Sequence, residues 1–387
     1  MPLLNGAAEI QPEIAGWRRD LHMRPELLFD VHETAGFVES KLRAFGCDDV
    51  VTGIGRTGVV GLIRGRHGAG SVIGLRADMD ALPITETTGL AYASQIPGRM
   101  HACGHDGHTA MLLGAARHLC DTRNFRGAVA VIFQPAEEGG GGGREMVEDG
   151  LIERFGIEQL FGMHNEPGVP VGDFTIRSGA FMAAYDEIDV TVTGRGAHAA
   201  MPHQGVDPIY IGAQIITALQ GIVSRNTDPL ESLVVSVTKF HAGDAYNVIP
   251  PTAVLAGTVR TFSKDVRNDA ERRIRQIVEG VAAALGGEAA LRYRRNYPVT
   301  FNHDKETRIA AEVAREIAGE RHVDSNARPI MGAEDFAFML EAKPGAMIFL
   351  GNGDTAYCHN PDYDFNDAAI PFGVSYWVSL AETVLKA

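Results

Sequence analysis

Apolar and polar residues follow two different patterns along the chain. Apolar positions recur at helical spacing through residues 8–46, which predicts two helices broken near Pro25. Short apolar runs then alternate with helix-like segments, an order typical of an α/β fold whose largely parallel sheet has helices on both faces. The predicted strands of this part lie at 59–63, 72–75, 128–133 and 160–163, and a helix lies at 109–119.

The pattern changes at Tyr185, where polar and apolar residues begin to alternate. The elements that follow have the order β-α-β-β-α-β, which is the ferredoxin-like α+β arrangement. They are predicted at 186–192, 208–223, 233–240, 253–262, 265–285 and 289–296, and beyond Pro298 a helix, a strand and a helix are predicted at 307–318, 346–350 and 373–385. We therefore predict a two-domain α/β protein. A discontinuous catalytic domain, 1–184 and 299–387, is interrupted by an inserted ferredoxin-like lid, 185–298.

Composition restricts the possible partners. The 387 residues carry a net charge of −14, whereas nucleic-acid binding needs a basic surface, so we expect a small-molecule substrate and no nucleic acid. No apolar run approaches the ~20 residues needed to span a bilayer, so no membrane partner is expected. The N-terminus lacks the basic and apolar stretches of a signal peptide, and the four cysteines form no CxxC pair. These features predict a cytoplasmic protein.

Several potential metal ligands share one position relative to the predicted strands. In open α/β sheets, sites form outside the carboxyl ends of the strands, so loops that follow different strands converge on one crevice. The side chains that follow strands in this way are Asp78, Asp80, Glu137, Glu138, His164 and His359. Their shared position indicates a metal-dependent hydrolase.

Cys103 and His105 are two residues apart in a glycine-containing turn, where a thiolate and an imidazole can reach one metal ion. The alternative is that Cys103 is a small buried core residue. His101 and His108 in the same segment are interpreted as structural or supporting residues, because one segment rarely supplies so many ligands. His164 is interpreted as a ligand at a strand end, although an isolated histidine is more often a hydrogen-bonded core residue.

Adjacent glutamates usually form a solvated face, but Glu137 and Glu138 lie between a buried-looking strand and a run of five glycines. One carboxylate can bind a metal while its neighbour acts as general base on the attacking water, and burial raises the pKa of such a base towards the working pH. Asp80 could orient a ligand or hold a second metal, and Asp78 or Asp80 could instead cap the following turn.

The inserted domain contains three further candidates. His198 lies in a glycine-rich turn after a strand, where a mobile imidazole could reach an active site. Asn247 precedes a Val-Ile-Pro-Pro segment, and Arg260 lies inside an apolar strand. An arginine in a strand is usually exposed or ion-paired at the surface, whereas one that faces a cleft would bind a substrate carboxylate in a bidentate manner.

At these residues the chain resembles the metal-dependent aminoacylase and amidohydrolase branch of the family that includes carboxypeptidase G, succinyl-diaminopimelate desuccinylase and hippurate hydrolase. The matching segments follow one another in order over nearly the whole chain. They are Arg18–Glu26, Arg76–Pro83, Met100–His108, Gln134–Gly139, Gly162–His164, Gly196–His198, Asn247–Pro250, Gly332–Phe336 and His359–Asp367.

The resemblance implies two divalent metal ions per subunit, with manganese or zinc favoured over cobalt or nickel. It implies Glu137 as general base and acid, and a homodimer or homotetramer formed through the lid. It also implies that His198 stabilises the oxyanion from the lid of the partner subunit, while Asn247 and Arg260 hold the substrate carboxylate. The implied metal ligands are Cys103, His105, Glu138, His164 and His359.

Two positions depart from the wider peptidase pattern. Asp78 stands where many relatives carry a metal-binding histidine, and Cys103 stands where they carry a bridging aspartate. Both departures are typical of the amidohydrolase branch, and they leave the role of Asp78 open.

The expected activity is hydrolysis of an N-acyl amino acid, with an acetyl, benzoyl or similar acyl group, to a carboxylate and a free amino acid. The alternatives are a dipeptidase or carboxypeptidase on the same scaffold, or an N-acetyl-diaminopimelate deacetylase. A cysteine hydrolase that uses Cys103 and a non-catalytic metal-binding or ligand-sensing module are further alternatives.

Overall fold

A computed structural model describes residues 9–386 of the chain. Strands and helices are numbered here in chain order. The strands are β1 (Asp49–Ile54), β2 (Gly58–Arg64), β3 (Val72–Asp78), β4 (Ala128–Gln134), β5 (Ile157–Pro167), β6 (Phe174–Thr175), β7 (Gly179–Met182), β8 (Ala184–Thr193), β9 (Ala197–His198), β10 (Leu233–His241), β11 (Val248–Ile249), β12 (Thr252–Thr261), β13 (Glu288–Tyr297), β14 (Thr300–Asn302), β15 (Val323–Asp324) and β16 (Gly345–Gly353).

Helices separate most of the longer strands. They are α1 (Gln11–His22), α2 (His32–Phe45), α3 (His105–Thr122), α4 (Gly142–Glu148), α5 (Leu151–Phe155), α6 (Pro208–Gly221), α7 (Lys264–Ala284), α8 (Asp304–Ala318), α9 (Phe336–Ala342) and α10 (Ile370–Val384). None of the helices within residues 9–386 has the length and apolar character needed to cross a bilayer.

The chain forms two compact units, of which the first ends at Phe181 and resumes over Thr300–Arg328 and from Asp335 onwards. Its main sheet has the strand order β1-β2-β4-β3-β5-β16-β6-β15. The four central strands, β4, β3, β5 and β16, are parallel as predicted. The sheet becomes mixed towards its edges, where β2 is antiparallel to both β1 and β4, and β6 is antiparallel to β16.

The central strands are buried on both faces, which explains why they appear in the sequence as continuous apolar runs. Every residue of β4 is buried, and so is most of α3, which packs against the sheet. Leu75, Val131, Phe161 and Ile348 from the four central strands share one apolar core with Leu112 of α3. This packing fixes the carboxyl ends of β3, β4 and β5 at one edge of the sheet, where the candidate ligands begin.

The second unit comprises Met182–Val299 and Pro329–Glu334. Its antiparallel sheet has the order β10-β12-β8-β13, which is the strand order of a ferredoxin-like domain. Buried and exposed residues alternate along β8, so one face of the sheet is covered. Val190 of β8, Ile215 of α6 and Ile274 of α7 belong to the apolar cluster of that face.

Apolar periodicity located the elements better than their ends. The helix predicted at 109–119 begins earlier, at His105. Apolar periodicity missed its first turn because the residues buried there are His105, Asp106 and His108 rather than apolar residues. The strand predicted at 160–163 extends over Ile157–Pro167. Strand β1 was not predicted, since only two of its six residues are buried.

Candidate metal centre

The first turn of α3 carries the Cys103–Gly104–His105 segment into the first unit's interior. Gly104 has φ +90°, a conformation that a residue with a side chain rarely adopts. A Cβ at this position would overlap the side-chain oxygens of Asn165 and Tyr363. Glycine therefore permits the sharp turn that places Cys103 and His105 on the same side of the helix terminus.

A hydrogen bond from its ring orients His105. Its Nδ1 lies 2.8 Å from the backbone carbonyl oxygen of Asp80 and donates to it, which leaves Nε2 as the atom with a free lone pair. His105 Nε2 and Glu138 Oε1 are both buried and have no hydrogen-bond partner among the described residues. They lie 4.0 Å apart. Two buried nitrogen and oxygen atoms that lack hydrogen bonds and lie at this spacing could both coordinate a metal ion between them.

Cys103, His164 and His359 complete the cluster. Cys103 Sγ lies 3.4 Å from His164 Nε2, and His164 Nδ1 donates to the carbonyl oxygen of Asn165 at 2.7 Å. The backbone N–H of His359 donates to the carbonyl oxygen of Ala102 at 2.7 Å, and His359 adopts a φ of +66°. This places His359 beside the Cys103 turn.

The ligand atoms form overlapping groups, each with its atoms within 4.8 Å of one another. Among the described residues there are five such groups, of which three contain the predicted ligands together with Glu137: Cys103, His105 and His164; Cys103, Glu138 and His359; and His105, Glu137 and Glu138. The other two are Asp78, His105 and His108, and Glu137, Glu334 and Asp335. The mixture of sulfur, nitrogen and oxygen donors suits zinc and its first-row neighbours better than calcium or magnesium.

Asp80 holds the backbone of the two glutamates. One of its carboxylate oxygens accepts a hydrogen bond from the backbone N–H of Glu137 at 2.9 Å, and the other accepts from Glu138 at 3.1 Å. Ala136, with φ +54°, turns the chain immediately before them. Glu137 is buried and lies beside Glu138 in one of the groups that could hold a metal ion. Asp80 therefore holds the backbone from which both glutamate side chains project.

His108 and Asp78 interact with each other next to the candidate ligands. His108 Nδ1 lies 2.7 Å from Asp78 Oδ1, and His108 Nε2 lies 2.7 Å from Asn165 Oδ1. Asp78 Oδ2 also accepts from Arg76 Nη1 at 2.7 Å. Burial would raise the pKa of Asp78, but its interactions with His105, Arg76 and His108 outweigh burial and hold that pKa well below its usual range.

Sequence reasoning missed the interactions of α1 with the start of α3. Asp106, next to His105, accepts hydrogen bonds from Arg18 Nε at 2.7 Å and from His22 Nδ1 at 2.8 Å. Burial alone would lower the pKa of His22, but the Asp106 carboxylate raises it to about 9. His101, also buried here, keeps a neutral ring because burial lowers its pKa to about 3. The Arg18–Glu26 segment was noticed in the sequence, but nothing in its spacing indicated Asp106 as the partner.

The second unit holds the three remaining candidates. His198 and Asn247 are both exposed. They are neighbours because β9 pairs with β11, and the N–H of Ala199 donates to the Asn247 carbonyl oxygen at 3.0 Å. Arg260 of β12 lies opposite Tyr185, and its guanidinium carbon is 4.0 Å from the centre of that ring. Within residues 9–386 no acidic side chain forms an ion pair with Arg260.

Comparison with known proteins identifies the family. The sequence profile of Peptidase family M20/M25/M40 matches residues 74–383, which is most of the chain. The chain belongs to this family. Among M20 relatives, hippurate hydrolase of Campylobacter jejuni is 44% identical over 386 residues, covering 100% of both chains. N-acetyl-L-cysteine deacetylase of Bacillus subtilis is 41% identical and covers 93% of this chain and 85% of its own.

A solved M20 structure has the same fold. The YXEP protein of Bacillus subtilis, described as a dinuclear metal-binding peptidase of the M20 family, superposes with a TM-score of 0.85. It is 35% identical and covers 98% of this chain and 99% of its own. These relationships confirm the predicted family, the mixed α/β fold and the prediction of a hydrolase that acts on amide bonds.

Proposed function

We propose that the protein is a metal-dependent amidohydrolase that cleaves N-acyl amino acids to a carboxylate and a free amino acid. The observation that carries this proposal is the pair of buried atoms without a hydrogen bond among the described residues, His105 Nε2 and Glu138 Oε1, beside the carboxylate of Glu137. The similarity to a hippurate hydrolase and to an N-acetyl-L-cysteine deacetylase supports this substrate class.

Two divalent metal ions are proposed, with manganese or zinc favoured over cobalt or nickel. The proposed ligands are Cys103, His105, Glu138, His164 and His359, and Cys103 belongs to two of the ligand groups. Bound metal ions would polarise the amide carbonyl and lower the pKa of water in the site. The dinuclear description of the YXEP protein supports two ions rather than one.

Glu137 is proposed to move the proton. Its carboxylate would take a proton from the attacking water and deliver it to the leaving nitrogen of the amide. Asp80 supports this role, because its bond to the Glu137 N–H fixes the backbone from which the side chain projects.

His198, Asn247 and Arg260 are proposed to act on the substrate from the inserted segment 185–298. His198 would stabilise the tetrahedral oxyanion from the lid of a partner subunit, and Asn247 and Arg260 would bind the substrate carboxylate. The guanidinium of Arg260 has no ion-pair partner among the described residues, which supports a carboxylate ligand from outside the chain. We further propose a homodimer, or a homotetramer, formed through this segment.

A cytoplasmic location is also part of the proposal. It rests on the four cysteines, all of which carry free thiols in the structure.

A substrate panel with controlled metal content tests the proposal. Benzoyl-glycine, acetyl-methionine, N-acetyl-diaminopimelate and a dipeptide would be assayed with enzyme as purified, after chelator dialysis, and after readdition of manganese or zinc. We expect hydrolysis of at least one N-acyl amino acid, its loss on chelation and its recovery with metal. Activity that survives complete metal removal would favour a cysteine hydrolase, and activity on the dipeptide alone would favour a dipeptidase.

A further inference from the structure

Asp78 uses both of its carboxylate oxygens within the protein. Its Oδ1 lies 2.7 Å from His108 Nδ1, and its Oδ2 accepts from Arg76 Nη1 at 2.7 Å. The side chain is fully buried. Its Oδ2 also lies 3.7 Å from His105 Nε2, so a metal ion held by His105 would have to compete with Arg76 for this oxygen.

The hydrogen bonds continue from Asp78 through His108 to residues next to the candidate metal ligands. His108 Nε2 lies 2.7 Å from Asn165 Oδ1, and Asn165 Nδ2 donates to the Tyr363 hydroxyl at 2.8 Å. His108, Asn165 and Tyr363 are buried. We call Asp78, His108, Asn165 and Tyr363 the support network.

The support network contacts both segments that carry the Cys103–His105–His164 ligand group. Gly104, between Cys103 and His105, packs directly on the side-chain oxygens of Asn165 and Tyr363. The carbonyl oxygen of Asn165 accepts the hydrogen bond from His164 Nδ1. A shift of Asn165 would therefore move the Cys103 turn and the His164 ring together.

We infer that Asp78 is a positioning residue that anchors the support network beneath the metal centre, and that it is not a metal ligand. This inference rests on the metal centre of the proposed function and assigns the role of a residue that stands where many relatives have a metal-binding histidine. Charged partners of this kind orient ligands, and their loss typically weakens metal affinity about 10- to 100-fold without removing a ligand.

Cobalt(II) titration of the chelator-treated full-length protein tests the inference without relying on catalysis. Absorbance from thiolate-to-cobalt charge transfer reports on Cys103, and the end point gives the number of ions per chain. We expect Asp78→Asn to bind as many cobalt ions as the wild type, with about 10- to 100-fold weaker affinity and an altered charge-transfer band. Loss of one ion per chain would show that Asp78 is a ligand, and an unchanged titration would show that it has no role; either result overturns the inference.

Tyr363→Phe tests the far end of the support network and covers the case in which Asp78→Asn does not fold. It removes only the hydroxyl that accepts from Asn165, so we expect weaker cobalt affinity with unchanged stoichiometry. The Asp78→Asn/Tyr363→Phe double variant should lose less than the two single losses combined, because the residues share one network. Tyr376→Phe is the matched control, since Tyr376 is a fully buried tyrosine of α10 outside this network, and it should titrate like the wild type.

Wild-type affinity in Tyr363→Phe, or fully additive losses in the double variant, would overturn the inference. A wild-type protein that binds cobalt but hydrolyses no N-acyl amino acid would overturn the proposed function instead, and the comparison of cobalt affinities would still be decisive for Asp78.

Discussion

His359 Nε2 lies 3.4 Å from Glu138 Oε1. Glu138 follows β4 and His359 follows β16, and two other strands separate β4 from β16 in the sheet. The loops after these strands therefore converge from well-separated parts of the sheet. The Glu138 carboxylate beside it raises the pKa of His359. Because a metal ion needs the neutral imidazole, metal binding at this pair should release a proton and weaken as the pH falls.

Replacing Glu137 by Gln should separate metal binding from turnover. The amide keeps the size of the side chain but cannot accept a proton, so kcat should fall about 10²- to 10⁴-fold while the metal content stays that of the wild type. Steady-state kinetics and elemental analysis of the same preparation would measure both. Glu138→Gln provides the contrast, because it should lose metal as well as activity. Wild-type turnover in Glu137→Gln would exclude Glu137 as the base.

Replacing Asp80 by Ala should destabilise the glutamate turn. Two backbone N–H groups, those of Glu137 and Glu138, would lose their acceptor, and each buried unpaired group costs about 1–3 kcal/mol. Urea denaturation should show a free energy of unfolding lower by a few kcal/mol, and metal affinity should fall with it. Asp80→Asn retains one acceptor oxygen and should lose less. Equal stability of Asp80→Ala and wild type would contradict the role given to Asp80.

Replacing Arg260 by Ala should raise KM for substrates with a free carboxylate. A bidentate pair of charge-assisted hydrogen bonds would be lost, which corresponds to a rise of about 10- to 100-fold. The same substrate with its carboxylate capped as an amide should show little change. Arg294→Ala is a suitable control, because Arg294 already pairs with Glu187 in the same sheet. An equal rise in KM for free and capped substrates would refute the carboxylate clamp.

The His22–Asp106 pair should make stability depend on alkaline pH. The pKa of His22 is raised from the unfolded value of 6.5 to about 9, so the folded state binds the proton more tightly. This contribution, roughly 3 kcal/mol from the size of the shift, is complete below pH 6.5 and is lost as the pH rises through about 9. Urea denaturation at pH 7 and pH 10 would measure the loss.

His22→Gln is the control for this pH dependence. It removes the titrating group, so its stability should change less between pH 7 and pH 10 than that of the wild type. If wild type and variant lose equal stability over this range, another group carries the effect.

The sequence predicted the parts of the site that one segment or one strand end determines. Cys103 and His105 share a turn, and His164 lies near the carboxyl end of β5, so local pattern and strand topology were enough to place them together. The partners of Asp78 and Asp106 could not be found in this way. Asp78 pairs with His108 because α3 packs on the sheet, and Asp106 pairs with His22 because α1 packs on α3. No periodicity encodes which buried charges meet across elements.

The helices and strands likewise divide into those that local sequence pattern predicted and those that it missed. Burial on both faces made the central strands visible as apolar runs, and the alternation in β8 revealed its half-covered sheet. Strand β1 and the short helix α9 were missed because neither has enough residues or regular burial to produce a period. The first turn of α3 was missed because it buries polar residues rather than an apolar stripe.

Because the first unit is interrupted, its main sheet cannot be completed until late in protein synthesis. Strand β16 pairs with β5 inside the main sheet, yet the whole of the second unit is translated between them. The nascent chain can therefore complete the Met182–Val299 segment while the larger sheet still lacks an internal strand. Such long-range pairing has a high contact order and folds slowly. Since His359 emerges from the ribosome later still, metal loading should be among the last events of maturation.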